Sequence, residues 1–203
     1  MQVAETIALA AGLAWASGIR LYLVVFLAGM LARLGWLDLP ETLAVLSHPA
    51  ALSAAGFMLL AEFVADKIPA VDSLWDAVHT FVRIPAGAFL AAAALGQADP
   101  VWVMVAAILG GVLASGAHLT KAGTRAMINA SPEPFTNWGA SLAEDLLVPA
   151  GFLAAVTLPL VFLGATVVFV ALAALLLPPP LARVPPPACA DRRCAAVLSL
   201  RAQ

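Results

Sequence analysis

The chain has 203 residues, 63% of them apolar and 11% charged, with a formal net charge of −2 and a mean hydropathy of +1.00. A soluble domain carries about 25% charged residues, so this composition excludes a soluble globular protein and indicates an integral membrane one. The small net charge and the lack of a Lys/Arg-rich run exclude nucleic acid as a partner and leave membrane lipid as the expected surrounding.

A backbone in lipid must be helical, because an open strand or loop leaves its hydrogen bonds unmade, and a crossing takes about 20 mostly apolar residues. Met1-Gln2-Val3-Ala4-Glu5 lacks the basic segment of a cleaved signal, so the first apolar stretch is expected to stay as a span. It runs from Ala4 to Leu34 as one long or broken helix, with Ser17-Gly18 and Arg20 in its middle. Ala50 to Ala65 is the second span, closed by Asp66-Lys67-Ile68-Pro69. The third runs from about Ser73 to Leu95, and Gly96-Gln97-Ala98-Asp99-Pro100 carries the residues that punctuate a turn. Val101 to about Ile128 is the fourth and Trp138 to about Val156 the fifth. Val161 to Leu177 is a sixth if Pro159 turns the chain; if Pro159 only kinks it, the count is five.

The expected fold is therefore all-α, a polytopic membrane helix bundle of about six spans within residues 1–177. Residues 178–203, with Pro178-Pro179-Pro180, Pro185-Pro186-Pro187 and scattered Arg, read as a disordered Pro-rich tail. Cys189 and Cys194 lie in that tail at a spacing that matches no standard zinc or redox motif, so no metal ligand set is assigned and no cofactor is expected. Six spans put Lys67, Lys121, Arg125, Arg183, Arg192 and Arg193 on one side and Arg33 on the other, which makes both termini cytoplasmic.

Two stretches look like copies of one another. Trp75-Asp76-Ala77-Val78-His79-Thr80-Phe81-Val82-Arg83-Ile84-Pro85-Ala86-Gly87 overlays Trp138-Gly139-Ala140-Ser141-Leu142-Ala143-Glu144-Asp145-Leu146-Leu147-Val148-Pro149-Ala150-Gly151 with one residue of slippage. Each is a Trp, a polar turn or two, then Pro-Ala-Gly, which predicts two pseudo-repeats, over 62–95 and 118–156, with Pro/Gly-broken helices. Ionisable groups gather in or beside them. Asp72, Asp76, His79 and Arg83 follow at spacings of four, three and four, along one face of a helix; His118, Lys121 and Arg125 do the same on the next. Glu62, Asp66, Lys67, Glu133, Asn137, Glu144 and Asp145 complete the candidate substrate or ion site.

A charge at the bilayer centre costs roughly 2.5–3.5 kcal/mol even on insertion scales, so these groups must face each other or water. Two readings of them compete. One is an ion-pair network that fastens the helices together. The other is a polar vestibule whose acid excess favours a cation, with His79 and His118 passing protons. Arg20 either lines the same cavity or snorkels at a helix break, and Gly110-Gly111 with Ser115-Gly116 reads as close helix packing. No phosphate loop, nucleophile elbow or His-Glu-x-x-His motif is present, so no catalytic residue is assigned.

Glu62-Phe63-Val64-Ala65-Asp66-Lys67-Ile68-Pro69, Asp72-Ser73-Leu74-Trp75-Asp76-Ala77-Val78-His79-Thr80-Phe81, Lys121-Ala122-Gly123-Thr124-Arg125 and Ser131-Pro132-Glu133-Pro134-Phe135-Thr136-Asn137-Trp138 resemble the bacterial domain-of-unknown-function family 4126. The resemblance covers roughly Ala16 to Pro159 and implies a multi-spanning inner-membrane protein, with no settled activity attached. The expected function is movement of a small ion or solute through a polar site between the repeats. The alternatives are a non-transporting protein that binds a partner or lipid, and an intramembrane enzyme on a lipid-linked substrate. A homo-oligomer is compatible with all three.

Overall fold

A computed structural model describes residues 2–130 and 134–176. Its elements are α1 (Val3–Arg33), a 3-10 helix (Glu41–Ser47), α2 (Pro49–Ala65), α3 (Pro69–Ala94), α4 (Pro100–Asn129), α5 (Pro134–Thr157) and α6 (Pro159–Leu176). Five of these helices open on proline, whose fixed φ suits the first turn and whose missing N–H would be unpaired there in any case. Pro159 is one of the five: α5 stops at Thr157 and the chain turns at Leu158, so six α-helices stand where six spans are expected. The 3-10 helix falls in what the sequence leaves as a loop. The expected tail, and the last residue of the sixth span, lie outside the described residues.

The protein is a multi-pass membrane helix bundle. By length and composition, α1, α3, α4 and α5 can each cross a membrane; the 3-10 helix and α2 pass the same test together across a 64° bend, and Pro159–Leu172 is a shorter apolar helix. The polarity of α3 is inverted relative to a soluble helix. Asp72, Asp76, His79 and Arg83 are buried, whereas Phe81 is 83% exposed and Leu74 and Val78 also face outward. On α4, buried His118, Lys121 and Arg125 contrast with exposed Leu119 and Met127 in the same way. Lipid, as apolar as leucine, accepts the outer face, and the charges turn inward.

Residues Met1–Val170 form one compact unit, and residues 171–176 at the end of α6 belong to a second. In the first unit α1 is the central helix, its Leu9, Leu13 and Val24 packed with Leu90, Leu113, Val148 and Phe152 in one core cluster. Small residues let the helices approach. A Cβ on Gly18 would strike the Ala114 carbonyl, and one on Gly110 would strike Ala91, so the expected role of Gly110 in close packing holds. Gly116 has nothing within 4 Å of that position and does not share it.

The interruption expected at the Pro-Ala-Gly sequences falls elsewhere. Helices α3 and α5 run through Pro85 and Pro149, where each proline removes one backbone hydrogen bond without ending the helix. The non-helical backbone lies in α1 at Arg20, with φ −141° and ψ 79°. A buried guanidinium reaching carboxylates on two other helices supplies the physical reason for a break there.

Candidate functional site: a buried charge network at the break in α1

Because α2 to α5 alternate in direction, the end of α2, the start of α3, the end of α4 and the first half of α5 share one side of the bundle. The ionisable side chains of those four segments meet around Arg20.

Arg20 is fully buried, and its Nη1 lies 2.7 Å from Asp66 Oδ2, its Nη2 3.1 Å from Asp145 Oδ1 and its Nε 3.6 Å from Glu144 Oε2. Nη2 also donates to the Ser141 hydroxyl (3.0 Å) and carbonyl (3.2 Å). Arg125 grips Glu144 with two hydrogen bonds, Nε to Oε1 at 2.8 Å and Nη2 to Oε2 at 3.1 Å, the paired geometry that suits guanidinium and carboxylate. Its Nη1 donates to the Asn137 side-chain and backbone oxygens, and Asn137 Nδ2 donates to the Asp66 carbonyl.

A second cluster centres on Arg83, also fully buried, which donates to Glu62 and, at 2.7 Å, to Asp76. Lys121 joins the two clusters, 3.4 Å from both Asp76 Oδ1 and Glu144 Oε2. Its Nζ also donates to the Ile19 carbonyl (3.2 Å), next to the break that takes that backbone out of helical register. Charge contact is thus continuous from α1 through α5.

His118 Nε2 lies 2.7 Å from the Thr80 hydroxyl, which also reaches the Asp76 carbonyl at 3.0 Å, and His118 Nδ1 lies 3.3 Å from Arg83 Nη1. His79 donates from Nδ1 to the Trp75 carbonyl (2.9 Å) and accepts at Nε2 from the Tyr22 hydroxyl (3.1 Å), with the Trp75 ring stacked on it at 4.2 Å. Among the described residues no hydrogen bond joins His79 directly to His118.

The other candidates separate. Asp72 accepts from Asn129 Nδ2 at 2.8 Å and makes no ion pair among the described residues. Lys67, in the α2–α3 connection, donates to Ser141 Oγ at 2.9 Å and lies 3.6 Å from the Phe63 ring centre. Burial pushes its ammonium down from the ordinary 10.5, more than neighbouring Asp145 pushes it up. Glu133 lies outside the described residues.

The family profile described as a domain of unknown function (DUF4126) matches residues 7–179. The chain belongs to that family. No curated protein and no solved structure matches this DUF4126 chain. Sequence reasoning left Arg20 open between lining the cavity and snorkelling at a helix break; a lone charge in the middle of a 31-residue apolar helix favoured the first. Ser141, Thr80 and Tyr22 carried no such signal, since hydroxyls are common in spans. Arg20 raises the bases to five (Arg20, Lys67, Arg83, Lys121, Arg125) beside six described acids (Glu62, Asp66, Asp72, Asp76, Glu144, Asp145); with Glu133 still counted, the sequence total of seven acids against four bases becomes seven against five.

Proposed function

We propose that this protein moves a small ion or solute across the bacterial inner membrane, through the polar site where α1 is interrupted, with both termini cytoplasmic and the α3 and α5 stretches acting as halves of a two-repeat machine. The carrying observation is an excess of unanswered acceptors: Glu62, Asp66, Asp72, Asp76 and Asp145 each keep a buried carboxylate oxygen with no hydrogen-bond donor among the described residues, against fewer unanswered donor nitrogens, on Arg20, Arg83 and Trp75. Unanswered carboxylate oxygens at membrane depth are costly unless a proton, a water or a cation visits them. The irregular backbone at Arg20 adds the broken helix typical of solute sites in transporters.

The species favoured is a proton or a hydrated or organic cation. No group of three or more His, Cys, Asp or Glu side chains among the described residues is placed to grip a bare metal ion. A second reading has its own support: Arg20, Arg83 and Arg125 are each buried and each near two or more carboxylates, as a structural clamp requires.

Proteoliposomes separate the two. Under an imposed pH or cation gradient, transport predicts flux from the parent that Asp76→Asn abolishes in protein that still reconstitutes folded. A clamp predicts no flux from the parent under any gradient.

A further inference from the structure

Lys121 sits in a centre that has the ligands of a cation site. Its Nζ donates to the Ile19 carbonyl at 3.2 Å and lies 3.4 Å from both Asp76 Oδ1 and Glu144 Oε2. Three acceptors therefore face the three N–H bonds of one ammonium. These separations exceed the roughly 2.0–2.6 Å at which oxygen ligands hold magnesium or calcium, so the centre is sized for an ammonium group. The Ile19 carbonyl lies beside the break at Arg20, and unwound carbonyls of that kind coordinate the cation in transporters built from broken helices. Charge balance reserves the place for a cation. Ion pairs among the described residues join five carboxylates (Glu62, Asp66, Asp76, Glu144, Asp145) to four cations (Arg20, Arg83, Lys121, Arg125), so taking Lys121 away leaves five against three. Glu144 then keeps Arg125 and Arg20, whereas Asp76 keeps only Arg83, on Oδ1, and its buried Oδ2 has no donor among the described residues. Ile19, Lys121 and Glu144 also line a cavity of about 690 Å³ bounded by α1, α4, α5 and α6, within the roughly 300–1,000 Å³ of small-molecule sites. It gives a small amine a route to the centre once the Lys121 stem is out of the way.

We propose that this centre binds the head of a small primary amine in its ammonium form, and that Lys121 occupies it from within as a tethered competitor. A lysine is a point charge on a flexible stem and can withdraw along the cavity wall, whereas the planar guanidiniums of Arg20, Arg83 and Arg125 are each fixed between two or more carboxylates. Displacement of Lys121 by a travelling solute rests on the transport reading above, whose cation it narrows to a primary ammonium; binding at the centre needs no flux.

The test removes the competitor and returns its missing atoms. Lys121→Ala lacks the propyl stem and ammonium that n-propylammonium supplies, and Lys121→Met lacks only the terminal ammonium. The parent and both variants, full-length in lipid nanodiscs at fixed ionic strength, are titrated with n-propylammonium, ammonium, tetramethylammonium, propionate and propanol while thermal unfolding is followed. A ligand that binds only the folded state raises the midpoint by mass action. The expected result is a saturable rise in Lys121→Ala with n-propylammonium and in Lys121→Met with ammonium. Each should bind about tenfold or more tighter than tetramethylammonium, and the parent, whose centre is full, should respond little to any of them. A variant that folds poorly is purified in its matching amine, and failure of both to fold even then overturns the proposal, because a filled centre restores the charge balance. No saturable rise in the folded variants, or an equal rise from tetramethylammonium, propionate or propanol, overturns it as well. The rise without flux from the parent in proteoliposomes keeps the centre and rejects transport, whereas flux from the parent without the rise keeps transport and rejects the centre.

Discussion

Arg83 shows what a buried charge demands of its neighbours. It is fully enclosed between Glu62 and Asp76, so removing its charge strands Glu62 away from water and leaves Asp76 with Lys121 alone. Arg83→Met should therefore cost about 3–5 kcal/mol of stability, and Glu62→Leu added to it should recover part of that loss, because the second change removes one stranded charge. Melting midpoints of the parent, both single variants and the double variant, in one detergent, give the coupling; simple additivity would mean that the pair does not interact. Lys67 makes a different residue-level prediction, since it and Lys121 are the two lysines of the chain and only Lys67 lies outside the spans. Its folded-state value lies below 10.5, mainly through burial, so the unfolded chain binds more protons in the window between the two values and stability rises with pH there. An amine-acylating reagent followed by mass spectrometry over pH should modify Lys67 well before buried Lys121, with a midpoint below the ordinary lysine value. A midpoint at or above 10.5 would contradict the burial argument.

Among the elements, α1 carries the most consequence, because it packs against α3, α4 and α5 and also holds the break. Gly18 sits two residues before that break, where a side chain would collide with the backbone of α4, which cannot rotate away as a side-chain tip can. Gly18→Ala should cost about 1–3 kcal/mol by overpacking. Gly116→Ala is the control, since open space surrounds that position and alanine is the better helix former, by up to about 1 kcal/mol. Thermal melting of the two variants should move in opposite directions, and equal losses would refute the close contact between α1 and α4. The same helices show what the sequence made legible. The fours and threes between Asp72, Asp76, His79 and Arg83 put them on one inward face, as helical geometry requires, and the apolar runs marked the spans. For the break the sequence offered two places, Ser17-Gly18 with Arg20 in α1 and the Pro-Ala-Gly stretches, and no local pattern chose between them. Pro85 and Pro149 advertise an interruption, yet lipid withholds competing water from a weakened turn, and the helices stay intact. Arg20 breaks α1 instead because its partners Asp66 and Asp145 arrive from α2 and α5, contacts of long sequence separation that no local pattern encodes.

For the molecule as a whole, polarity is divided along the membrane normal: the charge network occupies one half of the bundle, and the opposite half holds the apolar ends of α3 and α4. Helix α4 provides the ruler for that division. It has 30 residues, which at about 1.5 Å each span about 45 Å, well beyond a hydrocarbon core of about 30 Å. Its two ends must therefore emerge on opposite faces. Lys67 lies in the α2–α3 connection, and Lys121 and Arg125 near the end of α4, so the excess of positive charge close to helix ends falls on the network's side. That side is expected to be cytoplasmic. The check replaces Cys189 and Cys194 with serine, then places a single cysteine either at exposed Gln97, before α4, or at exposed Ala130, after it. A membrane-impermeant maleimide should reach Gln97→Cys in right-side-out vesicles and Ala130→Cys in inverted ones. Labelling of both from the same face would refute a spanning α4 and with it the bundle's placement in the membrane. Labelling with the two faces exchanged would keep the bundle and reverse its orientation, so that the network would open to the outside and the direction of any proton or cation gradient acting on it would have to be reversed too.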